Sequence, residues 1–432
     1  MKHPQAPKGS AAGHNLTGRH GISSGSDLAV KLVSEALAGV HVDVVVSGSI
    51  GAVESIRFVR ALRRLGADVT PWLTQGGSQF VTPLALGWAA ARDCRTGFEA
   101  DASHLAEGHA CVVAPASASF IAKIANGITD SPAAALVTSY LGWKRPVIIL
   151  PSMHDSLAHA PQVQANLEKL RASAPNVVIL GSRLEEGKHK FPEPAVLADH
   201  CAHAYNHAIL KNKQSATRVL LTLGGTRAWL DDVRYIGNYS TGRLGSLVTE
   251  ELHRLGLDVD VLAGAAEFLP RCHHSLTRVA TNEDLARAAQ KMIGQKPDAL
   301  VHAAAVLDFA PAHKSPGKTP SAAGKLSVEL VPTPKIIDDL NLRGPAKVAF
   351  KLETGVDEQK AAGIAREYIK KHGLTMLVVN NLSDVSAERH RAWIFETQTA
   401  GHPVERPFEA TSKEEVAKAV ARHVWERLTR HA

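Results

Sequence analysis

Two turns in this chain are made of the residue types that hold phosphates. Gly48 to Ala52 (GSIGA) follow the apolar run Val42 to Ser47 and precede residues at helical spacing. At such a junction free backbone N–H groups and the helix dipole attract an anion, and small side chains let it approach. The second turn, Leu221 to Gly245 (LTLGGTRAWLDDVRYIGNYSTGRLG), is dense in Gly, Thr, Ser and Asn and ends at a helix start. That composition suits phosphates together with an activated carbonyl. A dinucleotide site fits the first turn poorly. Only Gly48 and Gly51 are present, and the next strand ends at Leu73 and Thr74 without the acidic residue that would hold an adenosine ribose. A tight turn packing helix on sheet is the plain alternative for GSIGA.

The elements that must position these turns follow from hydrophobic spacing. A helix is expected over Asp27 to Ala38 and a buried strand over Val42 to Ser47. Val53, Ile56, Val59, Leu62 and Leu65 then recur on one helical face, Gly66 stops the helix, and Asp68 to Leu73 form a second strand. The pattern restarts after Lys211 to Thr217, with a strand at Arg218 to Thr222, a helix at Arg243 to Leu255 and, past Gly256, a strand at Val259 to Leu262. The fold class is therefore α/β, two doubly wound Rossmann-like domains in tandem, each with its ligand at the carboxyl ends of the strands. The divisions are a disordered tail at 1–26, domains at 27–210 and 218–432, and a linker at 211–217.

Composition narrows the partners. Of 432 residues 45% are hydrophobic and 21% charged, which suits folded domains. Lys and Arg exceed Asp and Glu by 49 to 42, and the excess is spread along the chain, favouring small anionic ligands over nucleic acid. Cys94, Cys111, Cys201 and Cys272 form no CxxC pair, so a reduced, cytoplasmic setting without a zinc ribbon is expected. No apolar run reaches the ~18 to 20 residues a membrane helix needs, and the first 26 residues lack the apolar stretch of a secretory signal.

GSIGA, TQGGSQFVTPLAL (Thr74 to Leu86), PASAS with AKIANGITDS (Pro115 to Ser131), PSMH (Pro151 to His154) and PQVQANLEKL occur in an order that resembles the FMN-containing cysteine decarboxylases, over about Val42 to Pro194. The resemblance implies FMN bound by Gly48, Ser49, Thr74, Phe80, Ser117 and Ala118. Three departures bear on chemistry. Ser119 and His154 stand where the family has asparagines that contact the substrate carboxylate. The register of the family's catalytic histidine falls on Asp101, with His104 three residues closer to Pro115. Arg183, in GSRLEEGKHKFPEP, stands near the position of the cysteine that protonates the enethiol intermediate. The expectation is a slow, oxidative, altered or absent decarboxylation.

GGTR, DxVRYIxNxSTGRLG, HAAAVLDF (His302 to Phe309), GKTPS (Gly317 to Ser321), LVPTPKII (Leu330 to Ile337) and FKLET (Phe350 to Thr354) resemble phosphopantothenate-cysteine ligases, over about Arg218 to Leu382. The resemblance implies attack of the carboxylate of 4′-phosphopantothenate on the α-phosphate of CTP or ATP, then displacement of the nucleotide by cysteine. Asn238 and Lys318 match the catalytic asparagine and lysine. Gly225, Asp308, Lys318, Pro334, Lys335, Ile336, Ile337, Phe350 and Lys371 would hold the nucleotide, and Asp308 its Mg2+. Taken one at a time these residues have plain readings as loop lysine, turn former, helix cap and core.

The expected protein is thus a coenzyme A biosynthesis enzyme with a ligase half and an FMN half. The alternative keeps the ligase and makes the flavin half an oxidase of another substrate or a non-catalytic binding module. The resemblance further implies homo-oligomers, through trimers of the flavin domain and dimers of the ligase domain.

Overall fold

The computed structural model describes residues 27–173, 176–185, 188–319, 324–340, 344–385, 390–397 and 407–430. The expected tail at 1–26, and Pro320 and Ser321 of GKTPS, lie outside them.

The first half is built from β1 (His41–Val46), α1 (Ser55–Arg64), β2 (Asp68–Leu73), α2 (Pro83–Ala90), β3 (Ala110–Ala116), α3 (Ala118–Ala125), α4 (Pro132–Gly142), β4 (Val147–Pro151), α5 (Asp155–Ala158), α6 (Pro161–Ser173), β5 (Val177–Ile179), a hairpin of β6 (Arg183–Glu185) and β7 (Lys188–Lys190), and α7 (Pro194–Asn212). Its sheet is parallel in the order β2-β1-β3-β4-β5. Alternation along β1 divides the core. Val42, Val44 and Val46 join α1, α2 and α7 on one face, while Val45 joins α3, α4 and α6 on the other.

The second half contains β8 (Arg218–Leu223), β9 (Arg227–Trp229), β10 (Tyr235–Gly237), α8 (Arg243–Arg254), β11 (Asp258–Ala263), β12 (Ser275–Arg278), α9 (Asn282–Ile293), β13 (Ala299–His302), β14 (Phe309–Pro311), β15 (Leu330–Pro332), α10 (Ile336–Asp339), β16 (Ala346–Glu353), α11 (Glu358–His372), β17 (Met376–Val385), β18 (His390–Glu396), β19 (Phe408–Ala410) and α12 (Lys413–Thr429). Its sheet runs β12-β11-β8-β13-β16-β17-β18-β19, with all strands in one direction except β18, which is antiparallel to both its neighbours. Helices α8 and α12 cover one face and α9, α10 and α11 the other. Both sheets reverse direction at a central strand pair, β1/β3 and β8/β13, and the two sequence turns lie at those switch points, where crevices open in doubly wound sheets.

Residues 27–40 form turns and extended chain, not the expected helix. Their donors are spent elsewhere: Val33 N–H bonds Arg64 O and Leu37 N–H bonds Leu65 O, each at 2.8 Å, and Arg63 Nη2 donates to Leu28 O at 2.9 Å. The segment is laid across the end of α1, with Leu37 buried. On α1 Val59, Leu62 and Leu65 are buried as the spacing requires, but Val53 is exposed and Phe58 is buried instead. The antiparallel edge β18–β19 goes beyond the expected open parallel sheet.

Helix α7 seats the first half on the second. Asn206 Nδ2 donates to Ala36 O at 3.0 Å and to Arg254 O at 2.8 Å. At the turn between α8 and β11, Gly256 has φ +87, and a Cβ there would lie 2.5 Å from His207 N, so only glycine permits the contact.

Candidate functional site

In the first half the strand ends at the switch point frame one cleft of about 810 Å³, lined by Gly48, Ser49, Ser117, Ala118, Ser119 and His154 among others. Gly48 makes the close approach the turn needs: a Cβ would meet the backbone of Gly76 at 3.0 Å. Ser47 Oγ donates to Pro115 O at 2.8 Å and accepts from Ser117 N–H at 2.8 Å, tying the first turn to the PASA segment. Ser117 caps α3, leaving the first-turn amides of that helix directed at the cleft. Ser49 and Ser152 place hydroxyls 2.9 Å apart at its floor. These small, donor-rich walls fit a phosphate, and the cleft volume accommodates a flavin-sized ligand.

Arg183 also lines this cleft, with Arg57, Lys190 and Glu193. Sequence reasoning missed Arg57 and Ser152. Ser152 was within reach, inside PSMH, whereas Arg57 projects from an ordinary helix face. His154 caps α5, its Nδ1 accepting from Ser156 N–H at 3.2 Å, so one ring nitrogen is engaged locally.

Three expected residues do not line the cleft. Thr74 lies beneath it, bonding Val46 O through N–H at 3.1 Å and through Oγ1 at 3.3 Å. Phe80 caps the short helical turn Gly77–Gln79 and is exposed. His104 precedes β3, hence lies at the amino edge of the sheet, a strand length of about 20 Å from Ser117. Its ring packs edge-on against Phe98 at 5.2 Å, and its Nδ1 is buried without a hydrogen-bond partner. Asp101 pairs with Arg95 at 3.2 Å.

In the second half the glycine-rich loop is clamped from three sides. Gly225 N–H bonds Ala265 O and Ala265 N–H bonds Gly225 O, each at 2.8 Å. A Cβ on Gly225 would lie 2.6 Å from Asn238 O. Asn238 Nδ2 donates to Val306 O at 2.9 Å, and Leu307 N–H bonds Thr226 Oγ1 at 3.0 Å. GGTR, Asn238 and the AAAVLD segment are therefore one unit. Under it, His302 Nδ1 contacts Thr222 Oγ1 at 2.8 Å, and burial, then Lys347, lower that imidazole to about 4. Asp308 forms an ion pair with Lys335, and Thr333 N–H bonds Asp308 O at 2.9 Å, joining HAAAVLDF to the TPKII segment.

Lys318 sits at the other end of the β9–β10 hairpin. Asp232 Oδ2 accepts from Gly317 N–H at 2.9 Å, Asp231 Oδ2 from Thr319 N–H at 3.3 Å, and Arg234 Nη2 donates to Thr319 O at 2.7 Å. Bonds from Val233 and Arg234 N–H hold the Asp231 carboxyl down at about 2. The Lys318 side chain is exposed and has no hydrogen bond or ion pair among the described residues. Asn238 follows β10 at the base of the hairpin, about 10 Å from its tip by strand rise.

Other expected contacts divide between faces. Phe350 packs towards α8 and α12, whereas Ile336 and Ile337 are buried on the α9–α11 face; Pro334 is exposed. Lys371 lies in the last turn of α11 beside His372, whose Nδ1 is 2.7 Å from Asp338 Oδ1 of α10, so it neighbours the TPKII segment and not the Gly225 loop.

Comparison with known proteins places both halves. Residues 214–428 match the family described as DNA/pantothenate metabolism flavoprotein C-terminal domain, and residues 31–205 match the family described as flavoprotein. The coenzyme A biosynthesis bifunctional protein CoaBC of Thermococcus kodakarensis is 33% identical over 375 residues, covering 84% of this chain and 91% of that protein. Its Haemophilus influenzae counterpart is 27% identical over 362 residues, covering 80% and 88%. Among solved structures, the DNA/pantothenate metabolism flavoprotein from Streptococcus pneumoniae is 27% identical, covering 48% of this chain and 98% of that one, with a TM-score of 0.43.

Proposed function

The chain belongs to the family of coenzyme A biosynthesis bifunctional proteins, and on that footing we propose that its second half joins 4′-phosphopantothenate to cysteine at the expense of CTP or ATP. The observation that carries this reading is the clamped unit of Gly225, Asn238 and the AAAVLD segment at the switch point. Nucleotide phosphates lie beside the Gly225 turn at the start of α8, where the helix dipole favours an anion; the amides of Gly225, Thr226 and Arg227 are themselves bonded to the Ala265, Ala305 and Ala280 carbonyls and hold the turn in shape. The substrate carboxylate attacks the α-phosphate, pyrophosphate leaves, and the amine of cysteine then displaces the nucleotide from the acyl group. Charge builds first on phosphate oxygens and then on the acyl oxygen. Lys318, unpaired at the hairpin tip, serves the phosphates, and the Asn238 amide at the base serves the acyl intermediate. A triphosphate laid along the hairpin spans both. Asp308, paired here with Lys335, would be the carboxylate that holds Mg2+, which when bound would offset charge on the triphosphate.

In the first half the cleft residues Gly48, Ser49, Ser117 and Ala118 hold the phosphate of FMN, which when bound supplies the oxidation of a thiol from which carbon dioxide is lost. Arg183, Arg57 and Lys190 line the mouth together with Glu54, Asp155 and Glu193, a mixed set of charges with Ser119 and His154 beside it. Arg183 in the mouth, where a thiol donor is absent, favours an altered or absent decarboxylation, and the non-catalytic flavin module remains the second reading. His104 serves only where another copy of the chain brings it to the cleft, which accords with a homo-oligomer. We further take 211–217 as the junction of the two domains and the cytoplasm as their setting.

Purified protein with 4′-phosphopantothenate, cysteine and either nucleotide tests the ligase reading. Lys318→Ala and Asn238→Ala should each abolish product and leave the flavin spectrum unchanged; product formation at the wild-type rate in either variant overturns it. Bleaching of the flavin by phosphopantothenoylcysteine supports chemistry in the first half, and a spectrum that stays oxidised supports the binding module.

A further inference from the structure

Four histidines meet at the seam between the halves. His200, His203 and His207 stand at spacings of three and four on α7, hence along one face, and His253 lies in the last turn of α8 opposite them. The His203 ring lies flat on that of His253, with centroids 4.1 Å apart and planes 2° from parallel. On its other side it stacks on His207 at 5.1 Å and 21°. His200 meets His253 edge-on, its Nδ1 3.2 Å from Nε2. His203 Nδ1 is 3.0 Å from His253 O and His207 Nδ1 is 2.9 Å from Gly256 O. A carbonyl only accepts, so both nitrogens carry protons and donate across the seam.

This arrangement suits neutral rings and not cations. Two imidazoliums in face contact repel each other, and a proton on His253 Nδ1 finds no acceptor among the described residues. The surrounding charges do not offset this. On α7 and α8, Asp199, Glu250 and Glu251 are engaged by Arg254 and Arg271. Arg254 and His273 press further positive charge on His253. From β11 Asp258 faces the rings, 3.6 Å from His203 Nε2 and 3.9 Å from His207 Nδ1, and it also faces His274 Nδ1 at 3.7 Å, all too far for a hydrogen bond. Burial, then the neighbouring His203 ring, holds His253 down at about 2. Burial outweighs the bond to His253 O and lowers His203 to about 4, and burial lowers His200 as well.

We infer that the stack of His207, His203, His253 and His200 is an acid-released latch, which holds α7 against the end of α8 while its rings are neutral and opens the seam when they take up protons, each half keeping its own fold. The position of the rings favours opening over unfolding, since they lie between two sheets that each have an apolar core. Leu210, farther along α7, packs in the core of the second half, so the seam opens about that end of the helix. The closed seam binds fewer protons than the open one. The contribution of the latch is therefore whole above pH 6.5 and lost as the pH falls towards the value of about 4 at His203.

Two cysteines read the latch directly. Cys272 is 1% exposed, with Sγ 3.9 Å from His200 Nε2, and reports the seam; Cys111, 0% exposed within the first sheet, reports unfolding. Full-length protein is labelled with a pyridyl disulfide that reacts in acid, the modified cysteines are identified by mass spectrometry, and rates are taken relative to free glutathione at the same pH. Between about pH 5.5 and 4.5 the relative rate at Cys272 should rise at least about tenfold per pH unit, with Cys111 unlabelled and circular dichroism unchanged. His203→Phe and His253→Phe each keep a flat ring in the stack and remove one protonation site, so each should make that rise shallower by up to about tenfold per pH unit. Should a variant lose its circular dichroism at pH 7, the wild-type profiles of Cys272 and Cys111 decide by themselves. The inference is overturned if Cys272 does not react faster in acid, if Cys111 reacts in step with it, or if the wild-type slope persists in both folded variants.

Discussion

Arg254 on α8 and Asp199 on α7 lie face to face between the two halves. Nε donates to Oδ1 at 2.6 Å and Nη2 to Oδ2 at 3.1 Å, with the side chains 6% and 2% exposed. Glu251 accepts from Nη1 at 2.9 Å, and Arg271 reaches both Glu250 and Asp199. Burial opposes the charge on Arg254, but Asp199 and then Glu251 outweigh it and raise its pKa.

Breaking this pair should cost more than it contributes. Asp199→Ala leaves a buried guanidinium short of its main partner and should lower stability by about 3 to 5 kcal/mol in denaturant unfolding, and replacing both Asp199 and Arg254 by leucine should not restore it, because buried Glu251 then loses Arg254. If the single and double variants unfold together at the wild-type midpoint, the pair is not what joins the halves.

At Gly225 the obstacle to a side chain is backbone, namely Asn238 O at 2.6 Å from the added Cβ. Gly225→Ala should therefore displace the Asn238 strand from Val306, cost about 1 to 3 kcal/mol, and reduce ligation far more than flavin content. Wild-type ligation kinetics in this variant would show that the loop position does not matter to the reaction.

Asp231 is the clip that holds the GKT segment, accepting from Val233 N–H at 2.8 Å, Arg234 N–H at 2.7 Å and Thr319 N–H at 3.3 Å. Asp231→Ala should raise the KM for nucleotide and also lower the melting temperature, because it loosens Lys318 and leaves three backbone N–H groups without their acceptor. An unchanged KM would separate Lys318 from nucleotide binding.

The elements that position these sites were legible where one period dominated. Asp68 to Leu73 was read with the bounds the structure has, since a buried parallel strand is an apolar run between turn signals. The helix expected at 27–38 failed because its spacing matched while its donors were claimed by Arg64 O and Leu65 O, a tertiary choice that no local pattern records. Gly225 and Asn238, singled out by motif, do meet at the base of the hairpin, yet order along the chain does not give distance: Lys318 neighbours the hairpin tip.

Acid should weaken the second half as its buried histidines take up protons. His390 is buried, both its ring nitrogens lack partners among the described residues, and burial lowers it to about 4 from the ordinary 6.5. His302 stands at about 4 for the same first reason. Between those values the folded state binds fewer protons than the unfolded chain. The contribution of each neutral ring is thus whole above pH 6.5 and lost progressively as the pH falls towards 4. His390→Leu removes one such group and should flatten the decline of unfolding free energy in that window by up to about 1.4 kcal/mol per pH unit. Denaturant titrations at stepped pH measure the slope. If the variant and the wild type decline in parallel, the buried ring is already protonated in the folded protein, and the sensitivity to acid arises elsewhere.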